Sequence, residues 1–162
     1  MKRLTPLALA LLLPGCGLQP LYSGGSGGDV AQALAGVEVA PIPGKNGWLV
    51  ANALKDRIAA IPGAKPRYQL SVELDDKIEG FGIRRDDAIT RERRTLRARY
   101  QLKDAANGTV LVDATAGSDA GIDVVQSEYA TIAAENTALE RLAGEVADQI
   151  VARIALYAKR TQ

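Results

Sequence analysis

At 162 residues, 47% hydrophobic and 24% charged, the chain has the composition of one globular domain and no room for a large multidomain enzyme. It has no histidine and a single cysteine, Cys16. That excludes a histidine-based triad or metal site, an internal disulfide and a cysteine-rich metal centre. Lys and Arg total 20 against 19 Asp and Glu, a net charge of +1, without the global basicity of a nucleic-acid binder.

Lys2 and Arg3 precede an apolar run, Leu7 to Leu13. The run is far short of the roughly 20 residues that span a bilayer and matches the core of a secretory signal. Leu13-Pro14-Gly15-Cys16 follows and resembles a bacterial lipobox, with Pro14 as its departure from the usual pattern. An ordinary signal peptide with a spare cysteine is the alternative, but the only cysteine sits where the lipobox needs it. The expectation is a signal peptide over 1–15 and a mature chain that begins at an acylated (palmitate-bearing) Cys16. Several acyl chains, at about 0.8 kcal/mol per buried methylene, give a firm anchor. Gly17 in place of Asp favours the outer membrane, by resemblance to lipoprotein sorting. A Gly/Ser tether then runs through Ser23 to Gly28, so 16–35 is expected to be anchor and tether, and 36–162 a single domain.

Gly36 to Ala40 alternates as a short strand, ended by Pro41 and Pro43. Asn46 offers an N-cap to a helix carrying Val50, Leu54, Ile58 and Ile61 at helical spacing, which Pro62-Gly63 stops. Trp48 falls in its first turn, either packed or exposed. Tyr68, Leu70, Val72 and Leu74 alternate with polar residues as a second strand, followed by a loop from about Glu79 to Ala88. A third strand begins near Arg91 and carries Leu96, Ala98, Tyr100 and Leu102 on one face; a fourth carries Val110, Val112, Ala114 and Ala116. Parity rejects a two-residue Asn107-Gly108 turn, which would put the apolar faces on opposite sides. A three-residue loop, Ala106 to Gly108 with Gly108 left-handed, pairs Leu102 with Val112 and Tyr100 with Ala114. From about Ser127 a long helix carries the stripe Leu139, Leu142, Val146, Ile150, Ile154 and Tyr157. The order β-α-β-β-β-α, with one apolar face per element, predicts an α+β two-layer sandwich: a mainly antiparallel four-stranded sheet with two helices on one face and a polar face opposite.

These features resemble the LptE family of outer-membrane lipoproteins of lipopolysaccharide assembly. Cys16-Gly17-Leu18-Gln19-Pro20-Leu21-Tyr22 is similar to that family's start, with Leu18 where an aromatic is frequent. Ser127-Glu128-Tyr129-Ala130, Arg141-Leu142-Ala143 and Ile150-Val151-Ala152-Arg153-Ile154 resemble its C-terminal helix. The resemblance implies a non-enzymatic role without cofactors. It implies a lipid-anchored protein on the periplasmic side of the outer membrane that partners and plugs the β-barrel LptD and binds lipopolysaccharide. The competing reading is an auxiliary lipoprotein of a phospholipid or ABC-type transport system.

Locally, the most distinctive feature is basic: Arg84, Arg85, Arg91, Arg93, Arg94, Arg97 and Arg99, interrupted by Asp86, Asp87 and Glu92. Guanidinium forks suit phosphate oxygens, and lipopolysaccharide carries phosphates, so Arg91, Arg93 and Arg94 are the candidate ligand residues. Arg97 and Arg99 are expected to be structural, paired with Glu73 and Asp75 on the neighbouring strand. Asp75-Asp76 and Asp86-Asp87 are poor candidates for catalysis or metal, since neighbours on a strand face opposite ways and loop pairs are solvated. Glu135, Glu140, Glu145 and Asp148 form a polar side of the last helix, and Tyr129 is expected to pack in the core. No catalytic or metal residue is assigned.

Overall fold

The computed structural model describes residues 28–58, 66–83 and 89–161. The expected signal peptide, Cys16, most of the tether, Pro62-Gly63, Arg84, Arg85 and the Asp86-Asp87 pair lie outside the described residues. The elements in order are α1 (Asp29–Ala35), β1 (Val37–Val39), α2 (Gly44–Arg57), β2 (Tyr68–Ile83), β3 (Ile89–Asp104), β4 (Val110–Asp123) and α3 (Glu128–Arg160). The strands form one sheet in the order β1-β2-β3-β4. β2, β3 and β4 are antiparallel neighbours, whereas β1 is parallel to β2. The intervening α2 is the crossover a parallel pair needs, so the sheet is mixed.

The helices cover one face, as expected of an α+β two-layer fold. α3 has 33 residues, about 50 Å at 1.5 Å per residue, and the 16-residue β3 is about as long. One helix therefore runs the length of the long strands. Leu142, Val146, Ile150 and Ile154 of α3 are buried together with Leu96, Ala98, Tyr100 and Leu102 of β3 and with Val50 and Leu54 of α2. Arg57 joins α2 to α3 through Asp148, Nε to Oδ1 at 2.5 Å and Nη2 to Oδ2 at 3.1 Å. Lys45 Nζ donates to Asn136 Oδ1 at 2.6 Å. These two contacts have the same spacing on both helices, so α2 and α3 run parallel. The Arg57 bond holds the Asp148 carboxyl below its ordinary value.

Several expectations are corrected. The stretch assigned to the tether up to residue 35 ends in α1, whose Val30 and Leu34, one turn apart, are buried in the core. The domain therefore includes 29–35. The loop expected from Glu79 is strand through Ile83: Gly80 pairs with Glu92, Phe81 with Arg91 and Ile83 with Ile89. α2 starts at Gly44 with Pro43 in the N-cap position, and Asn46 Oδ1 instead accepts from the Gly47 N–H at 2.8 Å. It stops at Arg57, short of Ile61, with Ile58 buried at its end. Tyr129 is 84% exposed, and Trp48 is exposed as well. α3 begins as expected, with Ser127 Oγ accepting from the Ala130 N–H at 3.4 Å.

The β3–β4 register is the expected one, Leu102 with Val112 and Tyr100 with Ala114, and Gly108 is left-handed at φ +73°. The turn differs. Lys103 pairs with Val110, so Leu111 is the extra residue of a bulge. The Asp104 N–H donates to the Thr109 carbonyl and the Gly108 N–H to the Asp104 carbonyl, each at 2.9 Å, closing residues 105–108.

Gly47 tests the packing of α2. A Cβ there would lie 2.5 Å from the Ile42 carbonyl oxygen, part of the backbone that leads into the helix. Helix propensity alone makes Gly47→Ala stabilising by about 1 kcal/mol. The close contact reverses the sign: Gly47→Ala is expected to lower unfolding stability by about 1–3 kcal/mol in chemical denaturation.

Candidate functional site

Alternation sorts the arginines of β3 onto two faces. Arg91, Arg93, Arg97 and Arg99 lie on the face away from the helices, opposite in parity to the buried Leu96, Ala98 and Tyr100. The same face carries Lys77 and Lys103 and the carboxylates of Glu38, Glu73, Asp75, Glu79, Asp113, Asp119 and Asp123. The basic run of the sequence is thus part of a charge-balanced surface.

The ion pairs on it run mainly from β3 to β4, not to β2 as expected. Arg97 Nη2 lies 3.3 Å from Asp119 Oδ2, and Arg99 Nη2 lies 3.2 Å from Asp113 Oδ2. Thr95 Oγ1 also donates to Asp119 at 2.6 Å, and Gln101 Nε2 to Asp113 at 2.8 Å. These donors hold both carboxyls below their ordinary values: Arg99 and then Gln101 act on Asp113, Thr95 and then Arg97 on Asp119. Asp75 pairs with Lys77 of its own strand at 2.9 Å. Towards the β2–β3 end, Arg91 Nε donates to Asp123 at 3.0 Å, and the Arg93 guanidinium lies 5.3 Å from the centre of the Phe81 ring. Phe81 was not singled out in the sequence, because its segment reads as a loop.

Arg94 is the correction among the candidate ligand residues. It has the parity of Leu96 and faces α3. Its side chain is 11% exposed, and that of its partner Asp76 is 13% exposed. Nε donates to Asp76 Oδ1 at 2.9 Å, Nη2 to Oδ2 at 2.6 Å, and Nη1 to the Glu135 carbonyl at 2.9 Å. Asp76, read in the sequence as a strand residue facing the opposite way from Asp75, is the other half of this bidentate bridge. Nearby, Glu92 shares the inner face, and its Oε2 is buried with no hydrogen-bond partner among the described residues. Burial and then the adjacent Glu135 raise the Glu92 carboxyl above its ordinary value. Further along α3, Glu145 accepts from Ser118 Oγ, and Gln149 bonds both the N–H and the carbonyl of Gly117 at 3.1 Å. The polar side of the last helix thus partly faces the sheet.

In chemical terms, the exposed arginines of this face can exchange partners, Arg91, Arg97 and Arg99 at exposed ion pairs and Arg93 at an aromatic ring. Exposed ion pairs of the Arg91–Asp123 kind contribute about 0–1 kcal/mol, so a phosphate can displace the carboxylate at little cost. Arg94 cannot do so without leaving Asp76 buried and uncompensated.

Two outcomes follow. Asp76→Ala is expected to cost about 3–5 kcal/mol in urea unfolding, whereas Asp76→Leu combined with Arg94→Met recovers most of that loss. Glu92 has a raised folded-state value, so its stabilising contribution is complete at low pH and is lost as pH rises through that value. Glu92→Gln is therefore expected to raise the melting temperature at neutral pH, with the gain vanishing below about pH 4, near the unfolded carboxyl value.

No curated protein matches the chain. Among solved structures, a Caulobacter crescentus protein described as a lipoprotein is 25% identical, with TM-score 0.70, over 83% of this chain and 98% of that one. Rare lipoprotein B of Shewanella oneidensis is 7% identical, with TM-score 0.60, over 77% of this chain and 96% of that one. A minor lipoprotein of Acinetobacter baumannii is 15% identical, with TM-score 0.56, over 76% of this chain and 90% of that one. These likenesses share the two-layer fold just described. Residues 34–154, well over half of the chain and spanning everything from the end of α1 to most of α3, match the family described as LptE, lipopolysaccharide-assembly. The chain belongs to the LptE lipopolysaccharide-assembly family.

Proposed function

We propose that this chain is a non-enzymatic outer-membrane lipoprotein, held on the periplasmic side by acylated Cys16, that partners and plugs an LptD-like β-barrel and binds lipopolysaccharide. Family membership supports the assembly role. The observation that carries the plug reading is the outer sheet face. A water-filled barrel interior is polar, so a plug needs a rigid surface of charged and hydrogen-bonding groups rather than an apolar one. Cross-strand pairs from Arg91–Asp123 to Arg99–Asp113 supply such a surface along β3 and β4. Lipopolysaccharide phosphates would be taken by Arg91 and Arg93 near the β2–β3 end. Arg94 has no part in this, because Asp76 and the Glu135 carbonyl occupy its guanidinium.

A mild-detergent pull-down of the tagged, membrane-extracted protein is expected to retain a near-stoichiometric large β-barrel. Recovery of phospholipid or an inner-membrane transporter without a barrel would overturn the plug reading and favour the auxiliary transport lipoprotein. Arg91→Glu with Arg93→Glu is expected to weaken lipopolysaccharide binding about tenfold or more, on the scale of one charge-assisted hydrogen bond. Circular dichroism should be unchanged, and wild-type affinity in that variant would remove both arginines from the site.

A further inference from the structure

One group of basic side chains without a carboxylate partner among the described residues lies at the end of the sheet opposite the β2–β3 end. Arg57, Arg91, Arg94, Arg97 and Arg99 each have a carboxylate within ion-pair distance. At the β3–β4 hairpin, Arg67, Arg153 and Arg160 have none within 4.0 Å among the described residues. Arg67 lies 5.7 Å from the centre of the Tyr68 ring. Of the carboxylates at this end, Glu38 lies on the outer sheet face, and Asp104 and Asp113 are engaged elsewhere. Asp113 is held by Arg99 and Gln101, and Asp104 Oδ1 accepts from the Ala106 N–H at 2.8 Å.

Two clefts open here and share Leu111 and Tyr157 as their common wall. One, of about 250 Å³, has Arg67, Gln32 and Thr161 in its lining. The other, of about 210 Å³, has Arg153, Leu156 and Arg160. Leu156 is 40% exposed and Val110, at the start of β4, is 47% exposed. Apolar side chains flanked by guanidinium groups are the arrangement that suits a membrane interface, where stems and leucines meet the acyl boundary and the charged heads stay with phosphates.

An acylated Cys16 would bring a membrane within reach of this end. It enters the fold through α1, whose Gln32 and Ala33 line the first cleft. α1 is about 10 Å long, so Gly28 lies close to that cleft. Cys16 precedes Gly28 by only 12 residues, a reach of about 40 Å at full extension.

We infer that the hairpin end, through Arg67, Arg153, Arg160 and Leu156, is a docking surface for anionic phospholipid headgroups of the leaflet that holds the anchor. The inference rests on the reading that Cys16 carries that anchor. It assigns a second contact, made by the folded domain itself. Anchor and surface together would fix the orientation of the domain on the membrane, which a single point of attachment would not. The competing account is that Lys159 and Arg160 merely complement the C-terminal end of the α3 dipole.

The test uses the full chain with Cys16→Ser, so that no acyl chain contributes, co-sedimented with vesicles of phosphatidylcholine alone or mixed with phosphatidylglycerol. Binding is expected to favour the mixed vesicles and to weaken as salt rises. Arg153→Glu with Arg160→Glu is expected to reduce binding to mixed vesicles roughly tenfold or more. Arg153→Lys with Arg160→Lys should retain it. Lys45→Glu with Arg141→Glu, the same charge change placed away from the hairpin end, should leave it near wild type. Equal binding to both vesicle types, or equal loss from both charge reversals, would overturn the docking surface. Mass measurement of the membrane-extracted wild type reports acylation of Cys16 separately, so a failed anchor and a failed surface are told apart.

Discussion

Side chains alternate across a strand, so the register of β3 against β4 decides what the rest of the molecule faces. A slip of one residue would turn Leu96, Tyr100 and Leu102 to solvent and drive Arg97 and Arg99 under α3. Two local devices hold the register. Gly108 takes a left-handed conformation that costs an ordinary residue about 1–2 kcal/mol. The bulge at Leu111 absorbs the extra residue that the turn would otherwise pass into the ladder. Once Leu102 is opposite Val112, Gln101 must meet Asp113, Thr95 must meet Asp119 and Arg91 must meet Asp123. The core beneath α3 and the ion-pair rows on the other face are therefore two consequences of one hairpin.

That coupling changes the meaning of the arginine run. Read along the chain, seven arginines between residues 84 and 99 look like an anion site. In the sheet, β4 and β2 bring carboxylates to almost every position that β3 fills with a cation. Exposed pairs of this kind add little stability individually. They do keep a broad face polar without giving it a net field, so it can meet a polar partner without attracting every anion. Among the described residues, Arg67, Arg153 and Arg160 have no carboxylate within ion-pair distance and lie at the opposite end, where α1 enters the fold.

Strand identity, the β3–β4 register, the α3 stripe and the polarity of the outer face were all legible, because each rests on periodicity over many residues. What escaped rests on few residues or on distant partners. α1 has seven residues, too few for a periodic signal, and is held only because Val30 and Leu34 find the core. The outer half of the β2–β3 hairpin carries Gly80, Gly82 and charges, which read as loop; the ladder with Arg91 and Glu92 makes it strand. Arg94 was legible in principle, since the alternation through Leu96, Ala98 and Tyr100 extends back to it. Grouping it with Arg91 and Arg93 by sequence proximity ignored that parity. Its partner Asp76 lies on another strand, and nothing local marks it.

The position of the Arg94–Asp76 bridge explains how a sheet this long is held. α2 is less than half the length of α3 and begins beside Asn136, so beyond that point β2 has no second helix above it among the described residues, and Ile78 is exposed. Apolar burial cannot fasten the first turns of α3 there. A guanidinium does so, bonding the sheet through Asp76 and the helix backbone through Glu135. Among the described residues, the neighbouring Glu92 is left without a partner for one buried oxygen, a local cost that the packed half does not carry. The hairpin half is thus secured by burial and the β2–β3 half by a few polar contacts. Of the two, the polar half can be rearranged at lower cost when a partner closes around it.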